Sequence, residues 1–124
     1  GNIANGSPIA DSLPFLYVID AEIELTALHG TRWVNINQFY HGYKNTEMKQ
    51  DELITRIRWN LPEPETVMKL YKVSKRKDLD ISTFTAGILL RLKKGKIQNA
   101  RLALGGWDLL CYACQRQKIF CRVS

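Results

Sequence analysis

The chain has 124 residues, 45% apolar and 24% charged, with 18 basic against 12 acidic side chains for a net charge of +6. That length allows one domain with a real core, and no apolar run reaches a membrane span or forms a secretory leader. Excess positive charge suits an anionic partner in principle, but no zinc-finger spacing, recognition-helix pattern or aromatic interleaving supports nucleic acid. The expectation is therefore neither a nucleic-acid nor a membrane partner.

Cys111, Cys114 and Cys121 all lie in the last 14 residues. An odd count without a leader fits reduced thiols and a cytoplasmic protein. Cys111-x-x-Cys114 lacks a second cysteine or histidine pair, since His29 and His41 lie far upstream, so no metal site is expected. The start at Gly1-Asn2 without an initiator Met is expected to mark a processed or partial product.

In chain order, residues 1–11 (GNIANGSPIAD) form a loop of glycines and small polar residues whose backbone can approach a ligand closely. Ser7 and Pro8 suit the cap and first turn of a helix over 8–20, which Pro14 should kink or split. Residues 21–27 alternate Ile23 and Leu25 against Glu22, Glu24 and Thr26, a half-exposed strand. It turns at His29-Gly30 and returns over 32–36. A short helical turn over 37–43 offers Phe39 and Tyr40 as core anchors, and 44–50 is polar linker.

Residues 51–59 alternate Leu53, Thr55, Ile57 and Trp59 against Ile54, Arg56 and Arg58, as a strand does. Pro62 and Pro64 mark a subdomain boundary. Three extended segments follow, at 66–73, 81–92 and 97–104. A cationic loop, Ser74-Lys75-Arg76-Lys77, joins the first two, and a hairpin at Lys93-Lys94-Gly95-Lys96 joins the last two. Phe84, Ala86, Ile88 and Leu90 share one strand face, which predicts an antiparallel meander with that face buried. The pattern stops after Gly106.

Two stretches carry a family resemblance. Lys72-Val73-Ser74-Lys75-Arg76-Lys77-Asp78-Leu79-Asp80-Ile81-Ser82, with the hairpin and Ala103-Leu104-Gly105-Gly106, resembles the flavoprotein C-terminal domain of molybdenum hydroxylases. That family includes xanthine dehydrogenase and carbon monoxide dehydrogenase. Gly-Asn-Ile-Ala-Asn-Gly-Ser-Pro-Ile-Ala-Asp at 1–11 is similar to the segment with which their flavin domain contacts FAD. Gly30-Thr31-Arg32 and the stretch around Phe39 fit the same family.

The resemblance implies an α+β fold: a helix and small sheet from the end of an FAD-binding domain, followed by an antiparallel three-stranded meander. It implies three parts, with residues 1–60 ending the FAD-binding domain, 65–106 beginning the C-terminal domain, and 107–124 a divergent tail. That tail would arise from a reading-frame shift at Gly106 or as a lineage-specific extension. The implied cofactor is FAD, with iron–sulfur clusters and molybdopterin bound elsewhere. Implied partners are the iron–sulfur and molybdopterin-binding domains, with NAD or another compound as electron acceptor.

Carried over by position, Gly1 and Asn2 would contact FAD through close backbone approach and an amide. Asp11 would accept hydrogen bonds from cofactor hydroxyls or amides. Ile54 would pack against the flavin or offer its backbone, and Lys72 would lie near the flavin ring as a cation. The loop 74–80 would border the acceptor side, although Leu79 stands where some relatives have an acidic residue. The glycine-rich phosphate-binding loops precede this motif in the family, so the isolated chain is expected to bind FAD weakly or not at all. Residues alone show no Ser/His/Asp set, paired-carboxylate site or complete dinucleotide fingerprint. From them, two alternatives stay open: a basic interaction module and an inactive truncated product.

Overall fold

The computed structural model describes residues 1–7, 9–42, 44–77 and 80–106, and the backbone of 114–115. Expectations resting on Pro8, Leu79, Cys111 and Cys121, and on the side chain of Cys114, lie outside those residues. The described fold is α+β, with short helices and antiparallel sheets.

Helix α1 spans Leu13–Val18, shorter than expected over 8–20. Pro14 sits in its first turn, where a missing N–H costs nothing, so it starts the helix rather than kinking it. Ser12 rather than Ser7 occupies the cap position, without a side-chain capping bond.

Strands β1 (Glu22–Ala27) and β2 (Gly30–Asn35) form a hairpin, and β5 (Leu53–Arg58) pairs with the other edge of β1. Between β2 and β5 lie α2 (Ile36–Phe39) and the small pair β3 (Tyr40–Gly42) and β4 (Asn45–Thr46). Asn35 caps α2 by accepting the Asn37 N–H at 2.9 Å.

Simple alternation fails twice here. Glu24 is buried, because Thr55 Oγ1 donates to it at 2.6 Å. In β5, Leu53 is 72% exposed, whereas Ile54 and Ile57 both pack on the core. A register shift between Glu24 and Leu25 skips Thr55, and one extra residue flips the faces on either side of it.

The second sheet has the order β6 (Thr66–Ser74), β7 (Ser82–Lys93), β8 (Lys96–Gly105) and β9 (Cys114–Gln115). The expected three-stranded meander is present, and β9 adds a short fourth strand that composition did not indicate. Lys94 and Gly95 turn β7 into β8 with φ of 51° and 71°, the pair of positive values that matches strand twist.

Helix α1 seats on this sheet, and its position corrects the expected burial. Gly87 lies under Pro14, Leu89 packs on the core, and Ala103 opposite Gly87 is fully buried. The helix therefore covers the face of β7 that carries Gly87 and Leu89; on the expected face Ala86 is buried, whereas Phe84, Ile88 and Leu90 are only half-buried. A helix backbone needs close approach, and only the covered face presents Gly87 opposite an alanine.

One core spans helix and sheets: Leu16, Val18, Ile23, Leu25, Ile36 and Phe39 are among its members. Phe39 is fully buried and Tyr40 half-buried, as expected of anchors. Among the described residues no helix is long and apolar enough to cross a membrane.

Candidate functional site

Asp11 stands on a turn between Ala10 and Leu13, both buried in the core. These apolar neighbours pin the turn and leave the carboxylate pointing to the second sheet. There Lys72 Nζ, on β6, donates to Asp11 Oδ2 at 2.7 Å across 61 residues of chain. Ser82 Oγ, at the start of β7, donates to Asp11 Oδ1. Two of the residues implied by resemblance thus meet, and a third group, Ser82, joins them.

The hydrogen bond from Lys72, then that from Ser82, holds the Asp11 carboxyl below the ordinary value of 3.8. An ionised carboxylate has about four acceptor positions. Two are taken here, and the side chain is 48% exposed, so acceptor capacity faces solvent.

The loop before Asp11 is folded by its own backbone. The Asn5 N–H donates to the Gly1 carbonyl at 3.1 Å and the Ser7 N–H to the Asn2 carbonyl at 3.0 Å. Tyr40 Oη donates to the Ile3 carbonyl at 2.8 Å and ties the loop to the core. Gly1 and Asn2 are exposed, and a Cβ at Gly1 would meet nothing within 4 Å. Ile54, by contrast, lies in the first sheet opposite Leu25 and packs on the core cluster.

The basic loop beyond β6 is organised by Asp80. Its carboxylate accepts the Arg76 and Ile81 N–H groups, each at 2.9 Å, while Ser74 Oγ donates to the Arg76 carbonyl at 2.6 Å. Lys75, Arg76 and Lys77 stand exposed around this turn, three to five residues beyond Lys72.

Two further features belong to the frame. Arg32 clamps buried Glu52 with Nε at 2.6 Å and Nη2 at 2.9 Å, and Nη2 also reaches the Glu47 carbonyl at 2.7 Å. A cleft of about 200 Å³ lined in part by Val18, Leu61, Arg91, Asn99 and Arg101 lies at the opposite end of α1 from Asp11. None of the residues implied by resemblance lines it. Among the described residues no three His, Cys, Asp or Glu side chains gather as a metal ion would require.

Ser82 was missed in the sequence because its parity places it with Phe84, away from Asp11. The available signal was indirect: the Gly105-Gly106 pair, which lies across from this end of β7.

The fold defines an α+β module in which a small-residue loop and a strand of a second sheet share one charged cluster. Residues 1–64 match the family described as the FAD binding domain in molybdopterin dehydrogenase, and residues 69–115 match the CO dehydrogenase flavoprotein C-terminal domain. The chain belongs to the family of molybdopterin dehydrogenase FAD-binding domains.

Among similar proteins, the xanthine dehydrogenase of Blastobotrys adeninivorans is 38% identical over 110 residues, 86% of this chain and 8% of that protein. The xanthine dehydrogenase FAD-binding subunit of Escherichia coli O157:H7 is 33% identical over 106 residues, 85% of this chain and 36% of that one. The structure of reconstituted CO dehydrogenase from Oligotropha carboxidovorans aligns with a TM-score of 0.77 at 30% identity, covering 85% of this chain and 36% of that chain. The chain thus spans about a third of the bacterial proteins it matches and under a tenth of the fungal one.

Proposed function

We propose that this chain is part of the FAD-binding subunit of a xanthine dehydrogenase-type oxidoreductase. Residues 1–60 close the FAD-binding domain, 65–106 open the C-terminal domain, and 107–124 form a divergent tail. The observation that carries the proposal is the 2.7 Å contact between Asp11 and Lys72. These residues belong to the two separately matched segments, and each corresponds by resemblance to a flavin-contacting position.

The side chains present fit such a cofactor. FAD offers hydroxyls and amides to a half-exposed carboxylate, acceptors to the Asn2 amide, and, to a cation, a ring that gains negative charge on reduction. Gly1 leaves room for close backbone approach. When bound, FAD supplies a carrier between one-electron iron–sulfur clusters and a two-electron acceptor.

The chain's own contribution is to hold and orient. Asp11 accepts hydrogen bonds in its ionised form, and Lys72 places positive charge where negative charge develops on reduction. Gly1 and Asn2 stand exposed at the approach, and Ile54, packed on the core from the first sheet, would offer its backbone. Electrons arrive from partner domains that carry iron–sulfur clusters and molybdopterin, and leave to NAD or another acceptor beside loop 74–80. The protein works in the cytoplasm.

The test is a flavin titration followed by fluorescence quenching and the visible spectrum. It is run on the purified chain alone and again with a polypeptide carrying the family's glycine-rich phosphate-binding half. Saturable binding in the second mixture, weakened by Asn2→Ala and Lys72→Ala, is the expected result. No binding in either mixture overturns the proposal.

A further inference from the structure

Strand β7 carries a one-residue irregularity beside the Asp11 cluster. Lys72 pairs with Thr85 and Val73 with Phe84, but Ser74 pairs with Ser82, so Thr83 is the extra residue. Side chains alternate faces along a strand, and without the bulge Ser82 would share the Phe84 face. The bulge instead moves Ser82 to the face of Lys72 and Ser74. Ser82 is accordingly 4% exposed and bonded to Asp11, while Thr83 is exposed.

Gly106 makes room for this irregularity. Its φ is 114°, and a Cβ there would stand 2.6 Å from the Thr83 carbonyl oxygen and 3.0 Å from the Phe84 Cα. Both obstacles are backbone, so a side chain at position 106 pushes directly on the bulge. Gly106, the residue after β8, thus has a steric task.

We propose that Ser82 is a positioning residue of this site: aimed by the bulge at Thr83, its hydroxyl fixes the Asp11 carboxylate in the orientation that receives a ligand's donors, and Gly106 preserves that aim. Lys72 alone holds one carboxylate oxygen and leaves the group free to rotate about its final torsion. Ser82 holds the other oxygen, and two anchors on two oxygens stop that rotation. The role of Asp11 toward FAD rests on the function proposed above. The hold of Ser82 on Asp11 does not.

The experiment measures two things on the same variants. Carboxyl carbon NMR of the full chain follows the titration of Asp11, with amide spectra showing that each variant is folded. Ser82→Ala is expected to raise the Asp11 midpoint, Ser82→Thr to restore it, and Gly106→Ala to act like Ser82→Ala with its hydroxyl intact. FAD titration in the presence of the phosphate-binding half is expected to show about tenfold weaker binding for Ser82→Ala and near-normal binding for Ser82→Thr.

An unmoved Asp11 midpoint in folded Ser82→Ala overturns the inference whatever FAD does. A moved midpoint with unchanged FAD affinity overturns the positioning role toward the cofactor. A moved midpoint with no FAD binding by the unaltered chain supports the hold on Asp11 and sinks the FAD function instead.

Discussion

The Cβ that Gly87 lacks would stand 2.6 Å from the carbonyl oxygen of Pro14. Helix α1 and strand β7 therefore touch backbone to backbone, and Asp11, two residues before the helix, is delivered to Lys72 by that contact. Gly87→Ala is expected to lower stability by about 1–3 kcal/mol, the usual cost of overpacking a filled site. Urea unfolding measures the loss. Amide shifts of Asp11 and Lys72 should change in the same variant, because the helix must lift to admit the methyl group.

The clamp of Arg32 on Glu52 sets an acid limb. Hydrogen bonds from Arg32, then from the Lys49 N–H, hold the Glu52 carboxyl down to about 2 from its ordinary 4.5. A depressed carboxyl stabilises the fold above its unfolded value and loses that contribution as pH falls through the folded one. Stability should therefore decline between pH 4.5 and 2. Glu52→Gln should cost about 1 kcal/mol at neutral pH, since it removes a charge-assisted bond from a partly exposed guanidinium, and should differ less from the unaltered chain as pH approaches 2. Denaturant midpoints across that range check both points.

Lys72 and Asp11 are each nearly half-exposed, and exposed ion pairs contribute little to folding. Lys72→Met is expected to change unfolding free energy by less than about 1 kcal/mol. The same substitution should weaken FAD binding about tenfold in the completed mixture. A stability loss matching the affinity loss would count against a ligand-directed role for this lysine.

The β7–β8 turn offers a gain. Lys94 adopts φ of 51°, which strains a long L side chain but suits asparagine. Lys94→Asn should stabilise the chain by about 0.5 kcal/mol, and Gly95→Ala should destabilise it by about 1 kcal/mol. Thermal unfolding of the pair gives opposite shifts if the turn has this geometry.

Much of the architecture was legible because it is local. The meander, its hairpin at Gly95, the turn before β2 and the anchors Phe39 and Tyr40 follow from alternation, turn chemistry and apolar content. The two motifs around Asp11 and Lys72 were likewise visible as residue strings. Which strand face would be covered was not legible. Phe84, Ile88 and Leu90 make the more apolar stripe, yet α1 chose the stripe with Gly87, because backbone contact needs an absent side chain more than a greasy one.

The hairpin β1–β2, the strand at β5, the three-stranded meander and the family could be read from the chain alone, since each rests on short-range pattern or on matching strings. That Asp11, Lys72 and Ser82 form one cluster emerges only when helix and second sheet come together. Two register shifts, at Thr55 and at Thr83, invert side-chain parity without any mark in composition. The shift at Thr55 lies where β1 meets the distant strand β5, and the shift at Thr83 lies between neighbouring strands but serves a contact with distant Asp11, so neither is information a local period contains.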